Sequence, residues 1–140
     1  MRQPEAATLF LDRCLGKQTI ASALRGAGFL VEVHEDHFAP DARDEDWLAE
    51  VGERGWIVLT KDKRFRNRDL ETSAIARSNV AVFTLTTGGI QGKEMAKIFV
   101  KACVKMINVS RSHHRPFIAT VSRTGRVTIA LSASRLKRYR

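Results

Sequence analysis

An α/β sandwich built on a mainly parallel central sheet is the fold this sequence predicts, and three observations lead there. Short apolar runs such as Trp56-Ile57-Val58-Leu59 and Val80-Ala81-Val82-Phe83 are too brief for a buried helix, so they read as strands covered on both faces. Helical patterns separate these runs, and strands joined by crossover helices lie parallel. Two of the runs end beside an acid: Leu9-Phe10-Leu11 leads straight into Asp12, and another strand stops at Thr60 with Asp62 just beyond. Ligands and catalytic groups of open α/β sheets gather at the carboxyl ends of strands, which makes Asp12 and Asp62 the first candidate functional residues.

The elements follow in order. After the first strand, Ile20, Ala21, Leu24 and Ala27 recur at helical spacing and Gly26 and Gly28 supply a stop, so a crossover helix is expected over about residues 15–27. Phe29 to Val33 is the second strand. His34 to Pro40 leaves it as a loop; its two histidines and the acids Glu35 and Asp36 invite a zinc reading, although polar residues alternating in a loop are ordinarily solvated. Asp44 stands as an N-cap before Trp47, Leu48 and Val51, with Gly55 ending that helix. Glu45 and Asp46 would occupy its first turn, where the helix dipole favours acids. Trp56 to Thr60 is the third strand, Lys63 to Arg68 a basic run, Asp69 to Ala76 a short helix, and Val80 to Leu85 a fourth strand closed by Thr86-Thr87-Gly88-Gly89. The longest helix is expected over about residues 91–107, with Met95, Ile98, Phe99, Ala102, Cys103, Met106 and Ile107 on one stripe and Lys93, Lys97, Lys101 and Lys105 on another. A β-hairpin over about residues 116–131 turns at Gly125 and reads as an appendage or an antiparallel edge. A single domain is expected over residues 1–133, its core over about residues 8–108, followed by a basic, disordered tail over residues 134–140.

A chain of 140 residues is the usual size of one domain with a real core. Its 44% hydrophobic and 28% charged residues suit a soluble globular protein. No apolar run approaches the roughly 20 residues of a membrane span, and the first ten residues lack a signal peptide's charged and apolar regions, so a cytoplasmic location is expected. Cys14 and Cys103 match no metal spacing and read as small buried or half-buried thiols. The net charge of +9 conceals a segregation. Nine acids and one base, Arg43, lie between Glu32 and Glu53, whereas eleven bases and no acid lie between Met95 and Arg140. A chain divided in this way is suited to holding a metal with one region and a polyanion with the other.

Carboxylates gathered at one point repel and raise one another's pKa unless a cation neutralises them. Hard oxygen donors suit Mg²⁺ or Mn²⁺ better than zinc, and a water on such a metal is a nucleophile for phosphodiesters. There is no Walker-type phosphate loop and no G-x-S-x-G elbow. Metal-dependent hydrolysis of nucleic acid therefore suits both the acidic and the basic region.

Leu11-Asp12 closing the first strand, Gly28-Phe29 opening the second, Asp44-Glu45 opening a helix, and the strand leading into Thr60-Lys61-Asp62-Lys63-Arg64-Phe65 resemble the PIN-like domains, especially the compact bacterial branch related to VapC-type toxin ribonucleases. The resemblance covers roughly residues 8–90. It implies a small three-layer sandwich with an acidic Mg²⁺ or Mn²⁺ site that cleaves RNA as an endoribonuclease. By position, Asp12, Asp44 and Asp62 match the family's metal-binding and catalytic acids. Many relatives carry a further Asp where this chain has Arg64; Asp46, Glu45 and Asp69 are the available replacements. Lys63, Arg64, Arg66 and Arg68, together with the lysine stripe Lys93, Lys97, Lys101 and Lys105, are the expected nucleic-acid contacts. RNA is the implied substrate, and a cognate antitoxin and a second copy of the chain are the protein partners the resemblance admits. Two other readings stand beside this one: a catalytically lapsed PIN-like module that binds nucleic acid or protein, and a phosphate-receiving regulatory domain, which would want an acid pair where Asp12 stands alone.

Overall fold

The computed structural model describes residues 7–140, and the part of the expected domain before residue 7 lies outside them. Six strands form one sheet in the order β2-β1-β3-β4-β5-β6, where β1 is Thr8–Leu11, β2 Leu30–Val33, β3 Ile57–Thr60, β4 Ala81–Leu85, β5 Phe117–Val121 and β6 Val127–Leu131. The first five are parallel and β6 runs antiparallel to β5. The helices are α1 Thr19–Gly26, α2 Asp44–Arg54, α3 Arg64–Asn67, α4 Asp69–Ala76, α5 Gly92–Ser112 and α6 Ala133–Leu136. None of the described helices is long and apolar enough to cross a membrane.

Strand periodicity divides the core into two layers. Leu9 and Leu11 of β1, Ile57 and Leu59 of β3 and Phe83 of β4 pack against α1 and α5. The alternate residues Phe10, Val58 and Val82 pack on the other face against Trp47, Leu48 and Val51 of α2, Phe65 of α3 and Ile75 of α4. Successive side chains of a strand point to opposite faces, so Asp12 and Thr60, in step with Phe10 and Val58, are directed toward the α2 and α3 layer. That alternation aims the first candidate acid. Gly55 ends α2 with φ +73°, and its amide donates back to Gly52 and Val51 carbonyls, the left-handed cap that only glycine adopts without strain.

Several elements depart from the sequence pattern, each for a tertiary reason. The expected hairpin is present, but β5 is no appendage: Ala81–Leu85 pairs in parallel with Phe117–Val121, so β4, α5 and β5 make one more crossover and β6 alone is the antiparallel edge. The longest helix continues to Ser112, because Ser110 and Ser112 donate their hydroxyls to the Ile107 and Asn108 carbonyls and occupy acceptors at its end. The basic run after Asp62 coils into α3, which buries Phe65. Residues expected to form a disordered tail instead build α6 and a turn at Lys137–Tyr139, with Leu136 fully buried and Tyr139 packed on the same core. One anchored leucine suffices there, because the segment docks against α4 instead of standing alone.

Candidate functional site

The carboxyl ends of β1 and β3 and the first turn of α2 open into one cavity of about 220 Å³, lined by Asp12, His34, Asp44, Trp47, Asp62 and Arg64 among others. Asp12 is only 8% exposed. Its carboxylate accepts from the Arg13 amide at 2.7 Å and from the Thr60 hydroxyl at 2.8 Å. The same hydroxyl oxygen accepts from the Asp62 amide at 3.0 Å, so Thr60 ties the two strand-end acids into a single hydrogen-bonded unit. Parallel pairing of Leu11 with Leu59 sets the strand ends side by side and makes this link possible.

Asp44 does not cap its helix. It is the first residue of α2, and the preceding Arg43 makes no side-chain cap. Its carboxylate instead accepts from the Trp47 indole N–H at 3.0 Å, which steers it into the cavity. Asp62 is held by Arg64 in a fork: Nη2 lies 2.6 Å from Oδ2, Nε lies 3.0 Å from Oδ1, and the Arg64 amide also donates to Oδ1 at 3.0 Å. The same guanidinium reaches Asp44, with Nη2 4.0 Å from Oδ2.

The electrostatics separate the acids. Burial pushes the Asp12 carboxyl up from its ordinary value; hydrogen bonds from Thr60 and Arg13 oppose this, and the charges of Asp44 and Asp62 add to it. Burial also acts to raise Asp62, but the Arg64 hydrogen bonds and the charges of Arg64 and Arg68 outweigh it and hold that carboxyl low. Among the described residues no cation pairs with Asp12. A nearly buried carboxylate facing two others without a counter-ion has the donor chemistry that a hard divalent cation satisfies. The three do not close on one point as they stand, since among the described residues no group of three His, Cys, Asp or Glu is gathered tightly enough to hold a metal.

A stability consequence follows from the raised Asp12 value. The folded state keeps a proton at Asp12 that the unfolded chain has released, so this contribution is complete below the ordinary carboxylate pKa of about 4 and is lost as pH rises through the higher folded value. In metal-free protein, urea denaturation from about pH 4 upward should show the wild type losing stability relative to Asp12→Asn as pH rises. A difference between the two that does not change with pH would refute the assignment.

A family model described as a PIN like domain matches residues 7–87, more than half of the chain. The chain belongs to the PIN-like domain family. It is 27% identical over 117 residues to "Putative ribonuclease VapC45" of Mycobacterium tuberculosis, across 81% of this chain and 84% of that protein. No solved structure matches it.

The remaining candidates of this PIN-like domain divide by position. Glu45 and Asp46 follow Asp44 on α2, where each step turns the side chain about 100° away from the cavity. Glu45 hydrogen-bonds Arg43, Asp46 lies 3.7 Å from the Arg43 guanidinium, and Asp69 is exposed in the first turn of α4. None of the three lines the cavity. Lys63, Arg64, Arg66 and Arg68 lie beside Asp62, in or next to α3. Lys93, Lys97, Lys101 and Lys105 are exposed on α5, in the layer across the sheet from α2 and α3.

Three participants carried little signal in the sequence. His34 is 3% exposed, not solvated: it packs against Phe38 and Trp47 at ring separations of 5.4 and 5.6 Å, and burial, with the Arg13 charge, lowers its pKa. Its loop forms no zinc site among the described residues, because His37 pairs with Glu32 and Glu35 with Lys17. Cys14, an exposed residue overall, sets its sulfur 3.4 Å from Thr60 Oγ1 and 3.7 Å from Asp12 Oδ2; burial of the thiol and the Asp12 charge push its pKa to about 11, which keeps it from acting as a nucleophile. Thr60 is the third: the sequence marks it as a strand end and as part of the stretch that resembles the family, but not as the hydroxyl that links Asp12 to Asp62.

Proposed function

We propose that this PIN-like domain is a Mg²⁺- or Mn²⁺-dependent endoribonuclease, the toxin of a toxin–antitoxin pair acting in the cytoplasm. The observation that carries the reading is Asp12, buried and without a cation partner among the described residues, sharing one cavity with Asp44 and Asp62. These three acids would hold the metal, which when bound supplies an activated water and stabilises the leaving oxygen of a phosphodiester. Thr60 fixes Asp12 relative to Asp62, and Trp47 orients Asp44. Lys63, Arg66 and Arg68 lie in or next to α3, which follows Asp62, and would position the phosphate backbone without reading its sequence. The α5 lysines would serve a longer RNA only by a path that passes around the sheet. Similarity to a protein named as a ribonuclease of the VapC type supports RNA as substrate and an antitoxin as partner.

One observation favours a second reading, the catalytically lapsed module: Arg64 already neutralises Asp62 and reaches Asp44. Incubating the protein with single-stranded RNA, with Mg²⁺ or Mn²⁺ or with chelator, tests both. Strand scission that requires metal is the expected result. Salt-dependent RNA binding with no turnover at any metal concentration would establish the lapsed module.

A further inference from the structure

We infer that Arg64 is a resident counter-ion competing with the divalent cation for Asp62 and Asp44, so that metal enters this site only as the guanidinium swings out. The inference rests on the metal-site reading and deepens it. Three carboxylates line the cavity, and Arg64 engages two of them, Asp62 through a two-pronged fork and Asp44 at 4.0 Å, while among the described residues no cation pairs with Asp12. A fork of this kind matches carboxylate geometry on both oxygens, the same oxygens a metal would need. Arg64 is free to leave, because its side chain is 47% exposed and sits at the start of the four-residue α3. The contact is also local: Arg64 and Asp62 are two positions apart, so exchange needs rotation of one side chain and no movement of the sheet. A dication attracts the three acids more strongly than one guanidinium, yet must first displace it, and the metal's apparent affinity falls by the competition. Once displaced, the guanidinium stands at the cavity mouth beside Lys63 with its donors vacant, suited to a phosphate of the incoming strand. RNA and metal then favour one another's binding, since each draws on one member of the Arg64–Asp62 pair.

The test is a Mn²⁺ titration without RNA, following the electron paramagnetic resonance signal of free Mn²⁺, for wild type, Arg64→Gln and Arg64→Lys. Arg64→Gln should bind Mn²⁺ about tenfold more tightly, equivalent to about 1.4 kcal/mol, with Arg64→Lys between the two because it keeps the charge and loses the fork. A non-cleavable phosphorothioate oligonucleotide should tighten Mn²⁺ binding by the wild type and do so less in Arg64→Gln. Equal or weaker Mn²⁺ affinity in Arg64→Gln, with measurable binding in both proteins, overturns the competition and leaves the metal site standing. Absence of binding in both proteins overturns the metal reading and the competition with it.

Discussion

Asp12→Asn should lower metal-dependent RNA cleavage by on the order of 1,000-fold or more, about 4 kcal/mol of transition-state stabilisation, while the protein stays folded. The amide keeps the side chain's volume and an acceptor for the Arg13 amide, but removes the charge that Asp44 and Asp62 leave without compensation. Asp62→Asn should fail equally, since Asp62 is joined to Asp12 through Thr60. Single-turnover cleavage at saturating Mn²⁺ gives the comparison, with circular dichroism confirming the fold. Unchanged turnover in either variant would remove these acids from the chemistry.

Phe10→Ala should cost about 3–5 kcal/mol of folding stability, a large share of the roughly 5–15 kcal/mol that holds a domain of this size. The ring is fully buried and lies 5.5 Å from Trp47, 5.8 Å from Trp56 and 6.0 Å from Phe38, an aromatic cluster that a methyl group cannot fill. Because Phe10 precedes Asp12 on the same sheet face, the void would open directly beneath the site. Urea denaturation gives the loss, and a change below about 1 kcal/mol would mean that the neighbouring rings collapse to close the cavity.

The chain's own pattern determined the βα alternation, the central strands and the positions of Asp12 and Asp62, because strands buried on both faces must be apolar throughout and break off where the chain leaves the sheet. Asp44 was legible as an acid opening a helix, but local capping rules assigned its carboxylate to backbone amides, whereas the folded chain gives it to the Trp47 indole. Tertiary structure alone decided that β5 joins the parallel sheet, since a hairpin's sequence describes the turn between its two strands and says nothing of the strand on the other side. It decided likewise that the basic end of the chain is ordered, through one leucine whose value depends on the surface that receives it. The acids shared this fate: Glu45, Asp46 and Asp69 carry the same carboxylate group as Asp44, and only the place and direction of each side chain separate them. His34 and the reach of Arg64 to Asp44 show the same limit from the opposite side, because burial and contacts between separate elements belong to the space around a residue, and neither is written in its neighbours along the chain.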